Sequence, residues 1–243
     1  MPVADDYQAS PIEMKIALVL AFNDACDILI HNYHQGRTKL LASDPESYES
    51  LSLARTALSY LRSYTPTAYR FVNKITKTIY LENISSLEGY SGFSDYNRAG
   101  SFRLANFNSL RSQAAAGAAI LHEAIHQYLF LLENQFGYFI REETMAESYV
   151  LVSPWTGNKI YQMNVCHAAA VWFGLLNYWL QLKTKDDIDS NFRLCADQAS
   201  KIKAAFESSK YQALLSHFQS KNELKATKIL SHLQCLTRQL NEN

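Results

Sequence analysis

One long segment, residues 109–134, constrains the fold more than any other part of the sequence. It contains the run Ala114-Ala115-Ala116-Gly117-Ala118-Ala119, followed by a largely apolar stretch. Small side chains let neighbouring backbones approach closely, and alanine is the strongest helix former. Gly137, just beyond the pattern, is the residue type that most often ends a helix. The sequence therefore predicts a central, buried helix.

This predicted helix carries the motif His122-Glu123-Ala124-Ile125-His126. Residues four apart lie one above the other on the same face of an α-helix. Two imidazoles placed in this way can both reach one metal ion at about 2.0–2.1 Å. In zinc peptidases the glutamate beside the first ligand acts as the general base on a metal-bound water. We therefore expect a metal ion on this helix, with Glu123 at its side.

Periodicity and turn residues indicate the elements around this helix. Helices are predicted over residues 12–33 (after Ser10 and Pro11), 45–64 (ended by Pro66) and 163–182, with a short helix or turn over 142–150 and two amphipathic helices over 186–240. Strands are predicted over 75–81 and over Ser101–Phe107, the second at an edge of the sheet, and residues 83–100 are predicted to form an irregular loop. The expected fold is mainly α with a small β-sheet (α+β). In it a zincin-like central HExxH helix packs against the second apolar helix, within one metalloenzyme domain spanning residues 1–243.

Charge and composition exclude several classes of partner. The formal net charge is zero and the isoelectric point is near 7, so nothing favours a nucleic acid or an anionic membrane. The apolar runs are too short to span a bilayer. The four cysteines are scattered and the first residues do not resemble a signal peptide, so we expect free thiols and a cytoplasmic location. The sequence leaves the oligomeric state open.

The two histidines alone do not complete a metal site, because catalytic zinc and non-heme iron usually take three protein ligands. The third histidine and the glycine of an extended metzincin motif are absent, since positions 132 and 129 are both leucine. Carboxylates offer one alternative, on Glu142, Glu143 or Glu147. His167 offers another, because it lies within a nearly all-apolar helix where a polar ring needs a partner.

Three motifs together resemble a known family. They are the HExxH segment, the tripeptide Ser153-Pro154-Trp155, and a helix in which His167 is followed by small residues and Val171-Trp172-Phe173. Over residues 100–182 this combination resembles the α-ketoglutarate-dependent HExxH-type peptide β-hydroxylases, which modify precursor peptides in natural-product (RiPP) biosynthesis. The resemblance implies a dioxygenase whose iron(II) is held by His122, His126 and His167 and chelated by 2-oxoglutarate.

The resemblance also implies roles for further residues. In the family an arginine commonly follows the Ser-Pro-Trp segment, whereas this sequence has Thr156-Gly157-Asn158-Lys159. Lys159, with Trp155, is the expected contact for 2-oxoglutarate, although lysine is a point charge and cannot form the bidentate fork of arginine. Glu123 would then orient a ligand or a water rather than act as a base.

Two other functions remain open at this stage. A zinc peptidase would use Glu123 as general base and Glu143 or Glu147 as third ligand, and a helical binding protein would have no chemistry. For either enzyme we expect a peptide substrate that pairs with the strand Ser101–Phe107. Phe102, Arg103 and Asn106 on this strand are the candidate substrate contacts.

Overall fold

The computed structural model of the protein describes residues 28–34, 37–39, 45–146, 149–184 and 189–240. These residues are mainly helical and form two small sheets, which confirms the α+β class. The chain divides into two compact units, residues 1–131 and 132–243. No helix among the described residues is both long enough and apolar enough to cross a membrane. The prediction of a single domain stays a prediction.

The first unit is built on a five-stranded mixed sheet. Its strands are β1 (Leu29–His34), β2 (Arg37–Lys39), β3 (Thr78–Glu82), β4 (Ser91–Ser94) and β5 (Ser101–Ala105). They lie in the order β2-β1-β3-β5-β4. The central strands β1, β3 and β5 are parallel, whereas β2 and β4 are antiparallel to their neighbours. Alternating side chains such as Ile79, Leu81, Phe102 and Leu104 are buried on one face, so that face forms the core of the unit.

Two helices connect β2 to β3, and a third follows β5. They are α1 (Pro45–Tyr64), α2 (Pro66–Ile75) and α3 (Gln113–Phe136). Pro66 does not only end α1, because it also starts α2, and proline suits the first helical position. α3 is the HExxH helix. It ends as predicted at Gly137, whose φ of 75° is a left-handed value that glycine adopts without strain.

The second unit contains a hairpin and a group of helices. The hairpin strands are β6 (Val150–Val152) and β7 (Lys159–Tyr161). The helices are α4 (Glu142–Ala146), α5 (Val165–Lys183), α6 (Asp189–Glu207), α7 (Ser209–Ser220) and α8 (Leu224–Gln239). α5 is the second apolar helix, and residues 153–158 connect the two strands of the hairpin.

A buried carboxylate at the start of α8 fastens several segments of the second unit together. Glu223 accepts hydrogen bonds from the side chains of Arg141 (3.0 Å) and Thr144 and from the backbone of Arg141 (3.2 Å). Burial alone raises the pKa of Glu223, but the bonds from Thr144 and Arg141 outweigh burial, so that the pKa lies below its ordinary value. Glu223 is therefore ionised at neutral pH.

Four predictions of secondary structure need correction. The helix predicted over 12–33 is wrong at its end, because residues 29–33 form β1 and pair in parallel with β3; its earlier part lies outside the described residues. The loop predicted over 83–100 contains β4, and residues 186–240 hold three helices rather than two. Finally, β5 is not an edge strand. Its two sides pair with β3 and β4, so the edge at this end of the described sheet is β4.

Candidate metal site on the HExxH helix

The two motif histidines lie together on one face of α3. The ring centroids of His122 and His126 are 5.0 Å apart, as expected for helical neighbours four residues apart. Although a third of the His122 side chain is exposed, burial of the group lowers its pKa to about 4. A neutral imidazole is the form that binds a metal. His122 is thus ready to act as a ligand at neutral pH without first losing a proton.

The carboxylate of Glu123 is buried between α3 and the edge strand β4. Its Oε2 accepts a hydrogen bond of 2.6 Å from the hydroxyl of Ser94, and its Oε1 lies 3.8 Å from Nε2 of His122. Burial raises the pKa of Glu123 to about 7, while the bond from Ser94 acts in the opposite direction. Strand β4 therefore fixes this carboxylate beside the first motif histidine.

Gly92 makes this close approach of β4 possible. A Cβ atom at position 92 would lie 2.1 Å from Oε1 of Glu123 and 2.6 Å from Oη of Tyr90. Both distances are far below van der Waals contact, so only glycine fits without moving its neighbours. The sequence analysis missed Gly92 and Ser94 because both lie in the Ser- and Gly-rich segment that resembles a loop.

Gln127, one turn after Glu123, holds the loop that follows β4. Its side-chain oxygen accepts a hydrogen bond of 2.9 Å from the backbone N–H of Gly100, and its amide nitrogen donates to the carbonyl of Asp95 at 3.4 Å. The side chain is fully buried. α3 therefore carries two neighbouring pairs of residues spaced four apart. His122 and His126 are the two imidazoles, and Glu123 and Gln127 anchor β4 and its loop.

His167 lies in the second unit, on α5, and its ring is buried. Its Nε2 is 3.0 Å from Oε2 of Glu133, a carboxylate near the end of α3, and the ring of Phe139 lies 5.5 Å away. Sequence analysis missed Glu133. The available signal was a single carboxylate directly after the apolar run Phe130-Leu131-Leu132. The polar ring on an apolar helix does have a partner, as the sequence required.

The Ser153-Pro154-Trp155 segment is a tight turn between β6 and β7. The buried hydroxyl of Ser153 accepts a hydrogen bond of 3.3 Å from the N–H of Thr156, and its carbonyl accepts one of 2.9 Å from Gly157. Trp155 stacks on Trp172 with ring centroids 6.5 Å apart. Its indole Nε1 is buried and has no hydrogen-bond partner among the described residues. Such an orphaned donor suits a ligand oxygen.

Lys159 opens strand β7, and its side chain is exposed. It pairs across the hairpin with Val152, close to the Ser-Pro-Trp turn. A flexible ammonium in this place has room to move toward an anionic ligand. Its predicted contact with 2-oxoglutarate stays a prediction.

The three candidate substrate residues differ in their surroundings. Phe102 is buried in the core of the first unit, and Arg103 is half-exposed on the opposite face of the sheet. Asn106 adopts a left-handed conformation, and its amide bonds the backbone of Ile84 at 2.8 and 3.0 Å and of Leu87 at 2.8 Å. The Asn106 side chain therefore holds a loop, and its contact with a substrate stays a prediction.

The carboxylate alternatives for a third ligand lie in or beside α4. Glu142 and Glu143 are exposed in its first turn, where acidic side chains are favoured, and Glu147 lies outside the described residues. Within the described ranges, no group of three or more His, Cys, Asp or Glu side chains is close enough together to hold a metal ion. Among the described residues, the structure thus brings together two candidate ligands, His122 and His126.

Comparison with known proteins adds no relative. No protein-family model matches the sequence, and no curated protein matches it significantly. The resemblance to the peptide β-hydroxylases therefore rests on the three motifs and their spacing.

Proposed function

We propose that the protein is an iron(II)- and 2-oxoglutarate-dependent hydroxylase that acts on a β-carbon of a residue in a peptide. The observation that carries the proposal is the pair of imidazoles on α3, because the rings of His122 and His126 lie 5.0 Å apart. The same sequence also contains the Ser-Pro-Trp turn and the helix with His167. The overall reaction converts 2-oxoglutarate, O2 and a C–H bond into succinate, CO2 and a C–O–H group.

The surroundings of His167 support its role as third ligand. Histidines that bind a metal almost always direct their other ring nitrogen at a carboxylate or carbonyl, which fixes the ring and its tautomer. The 3.0 Å contact between His167 Nε2 and Oε2 of Glu133 has this form. An ordinary core histidine could be satisfied in the same way, so metal content must decide between the two.

Three imidazole ligands suit an oxygenase of this type. Such a set adds no carboxylate of its own, and 2-oxoglutarate brings a carboxylate and a keto oxygen to the iron. When bound, iron with 2-oxoglutarate supplies the oxidising chemistry. The protein residues would hold and orient 2-oxoglutarate. Lys159 would attract its distal carboxylate, and the orphaned Nε1 of Trp155 would donate a hydrogen bond to that carboxylate.

The decisive experiment measures iron after anaerobic purification and loading. We expect one iron ion in the wild type and a loss of iron in His122→Ala, His126→Ala and His167→Ala. His232, exposed on α8, provides the matched control His232→Ala, which should bind iron normally. Iron content equal to the wild type in the His122 and His126 variants would refute the metal site. The same result in His167→Ala alone would refute only the role of His167 as third ligand.

Turnover tests the reaction itself. Incubation with a candidate precursor peptide, iron(II), 2-oxoglutarate and O2 should release succinate and add one oxygen atom to the peptide, as followed by mass spectrometry. Omission of 2-oxoglutarate or of O2 should abolish both products. Shorter peptides formed with zinc alone, and no gain of oxygen with iron, would contradict the hydroxylase.

A zinc peptidase is the second candidate, and one contact favours it. Oε1 of Glu123 lies 3.8 Å from Nε2 of His122, a position beside a metal ligand that suits a general base. Strand β4, one of the two edges of the described sheet, could pair with an extended peptide next to this carboxylate. Glu123→Gln separates the two functions, because it should abolish peptide cleavage, whereas a hydroxylase should keep part of its turnover.

A further inference from the structure

A pocket of about 390 Å³ lies in the first unit beside β3, β4 and β5. Its charged and exposed aromatic walls consist of three aromatic rings, two guanidinium groups and one carboxylate, which belong to Tyr80, Phe93, Tyr96, Arg98, Arg103 and Asp95. Its volume is at the lower end of the range for ligand sites, about 300–1,000 Å³. The pocket therefore suits one or two amino-acid side chains rather than a large cofactor.

The register of the sheet builds one wall of this pocket. Arg103 on β5 stands directly between Tyr80 on β3 and Phe93 on β4, so the three side chains form a row on one face. This is the face opposite the buried side chains Ile79 and Phe102. The guanidinium carbon of Arg103 lies 5.3 Å from the centroid of the Phe93 ring, within cation–π distance. The guanidinium is thereby held in a fixed place beside an aromatic surface.

Each of the two arginines has a long ion pair with one carboxylate. Arg103 is 3.5 Å from Glu82, and Arg98 is 3.8 Å from Asp95, whose other oxygen accepts a 2.9 Å bond from the N–H of Asn97. The pair of Arg98 and Asp95 is half-exposed on both sides, and exposed ion pairs of this length contribute little to stability. A ligand carboxylate that forms two parallel bonds with a guanidinium would bind more strongly than these contacts.

Strand β4 borders both sites, with the pocket on one face of the sheet and Glu123 of the HExxH motif on the other, because Ser94 pairs with the core residue Phe102. Ser94, which lines the pocket, is the residue whose hydroxyl bonds Glu123 of the HExxH motif. A peptide that runs beside β4 would therefore pass both the pocket and the motif. A nucleic acid fits this surface less well, because two guanidinium groups on a chain of zero net charge offer few contacts for a phosphate backbone.

We infer that this pocket binds an acidic side chain of the peptide substrate. Its carboxylate contacts Arg98 and Arg103, and its neighbouring apolar atoms lie against Phe93 and Tyr80. The inference rests on the proposed function for the nature of the ligand as a peptide. It assigns the substrate class, a peptide with Asp or Glu near the residue that is modified.

A displayed library of random short peptides tests this binding without turnover. Peptides selected by the full-length wild type should be enriched in Asp and Glu, and those selected by Arg98→Gln or Arg103→Gln should not. Arg111→Gln, an exposed arginine of the same unit that does not line the pocket, is the matched control and should select like the wild type. Arg98 lies in an exposed loop, so its variant is informative even if Arg103→Gln does not fold.

One selected peptide and its Glu→Gln analogue then give the magnitude by calorimetry. Loss of the charged contact should weaken binding about tenfold to a hundredfold. The same peptide should bind Arg111→Gln as tightly as the wild type, which assigns the loss to the pocket. Selection without acidic enrichment, or equal binding by wild type and Arg98→Gln, would overturn the inferred binding of an acidic side chain. The proposed hydroxylation would stand. Binding that persists in a protein that hydroxylates nothing would overturn the proposed function instead.

Discussion

Substitution of Gly92 by alanine tests whether β4 positions the motif glutamate. The new Cβ would lie 2.1 Å from Oε1 of Glu123, whereas contacting atoms are separated by about 3.5 Å. The carboxylate must therefore move by roughly 1 Å or more. Its bond to Ser94 is only 2.6 Å long and depends on the present position, so we expect that bond to break. The glutamate cannot simply turn into solvent, because it is buried.

The magnitude follows from these two effects. With a pKa of about 7, Glu123 is only partly ionised at neutral pH, so its hydrogen bond contributes between about 0.5 and 3 kcal/mol, and an extra methyl in a well-packed site costs about 1–3 kcal/mol. With partial relaxation we expect Gly92→Ala to lower the free energy of unfolding by about 2–4 kcal/mol. A displacement of this size near the reacting atoms should lower turnover about a hundredfold.

A double-mutant cycle in the metal-free protein isolates the contact. Glu123→Ala removes the atoms that the new methyl meets, so Gly92→Ala should cost much less in that background. Some cost will remain, because the same Cβ lies 2.6 Å from Oη of Tyr90. We expect a coupling of about 1–3 kcal/mol from urea unfolding, with Ser91→Ala on the same strand as a near-neutral control. If the losses of the two single variants sum to the loss of the double variant within about 0.5 kcal/mol, the proposed role of β4 is refuted.

Three further predictions concern the second unit. Glu133→Gln should weaken iron binding about tenfold to a hundredfold if Glu133 orients His167 as a ligand, and an unchanged affinity would leave their contact purely structural. Lys159→Ala should raise the concentration of 2-oxoglutarate needed for half-maximal turnover without changing iron content; an unchanged requirement would exclude this lysine. Glu223 has a lowered pKa, so its contribution to stability is present above the pKa of the unfolded chain and is lost as the pH falls through the folded pKa. Glu223→Gln should therefore lower the free energy of unfolding by about 2 kcal/mol at neutral pH and by much less in acid, and an equal loss at both would contradict this linkage.

Local sequence determined the helix that carries the candidate site. The alanine run and Gly137 predicted a helix over 109–134, and α3 spans Gln113–Phe136, because helix formation depends on neighbours three and four residues apart. The same local geometry brings His122 and His126 together without help from the rest of the fold. The beginning of α1 at Pro45 and the apolar helix α5 were predictable for the same reason.

Only tertiary structure decided which strand accompanies that helix. The residues of β4, Ser-Gly-Phe-Ser, have little strand preference of their own, and they form a strand because β5 pairs with them and Glu123 bonds Ser94. Likewise, β1 resembled the end of a helix until its pairing with β3 fixed it as a strand. The contact of Glu133 with His167 joins two helices that are distant in the chain. Hydrogen bonds and burial between distant segments leave no periodic pattern in a single sequence, so these partners become visible only when the chain is folded.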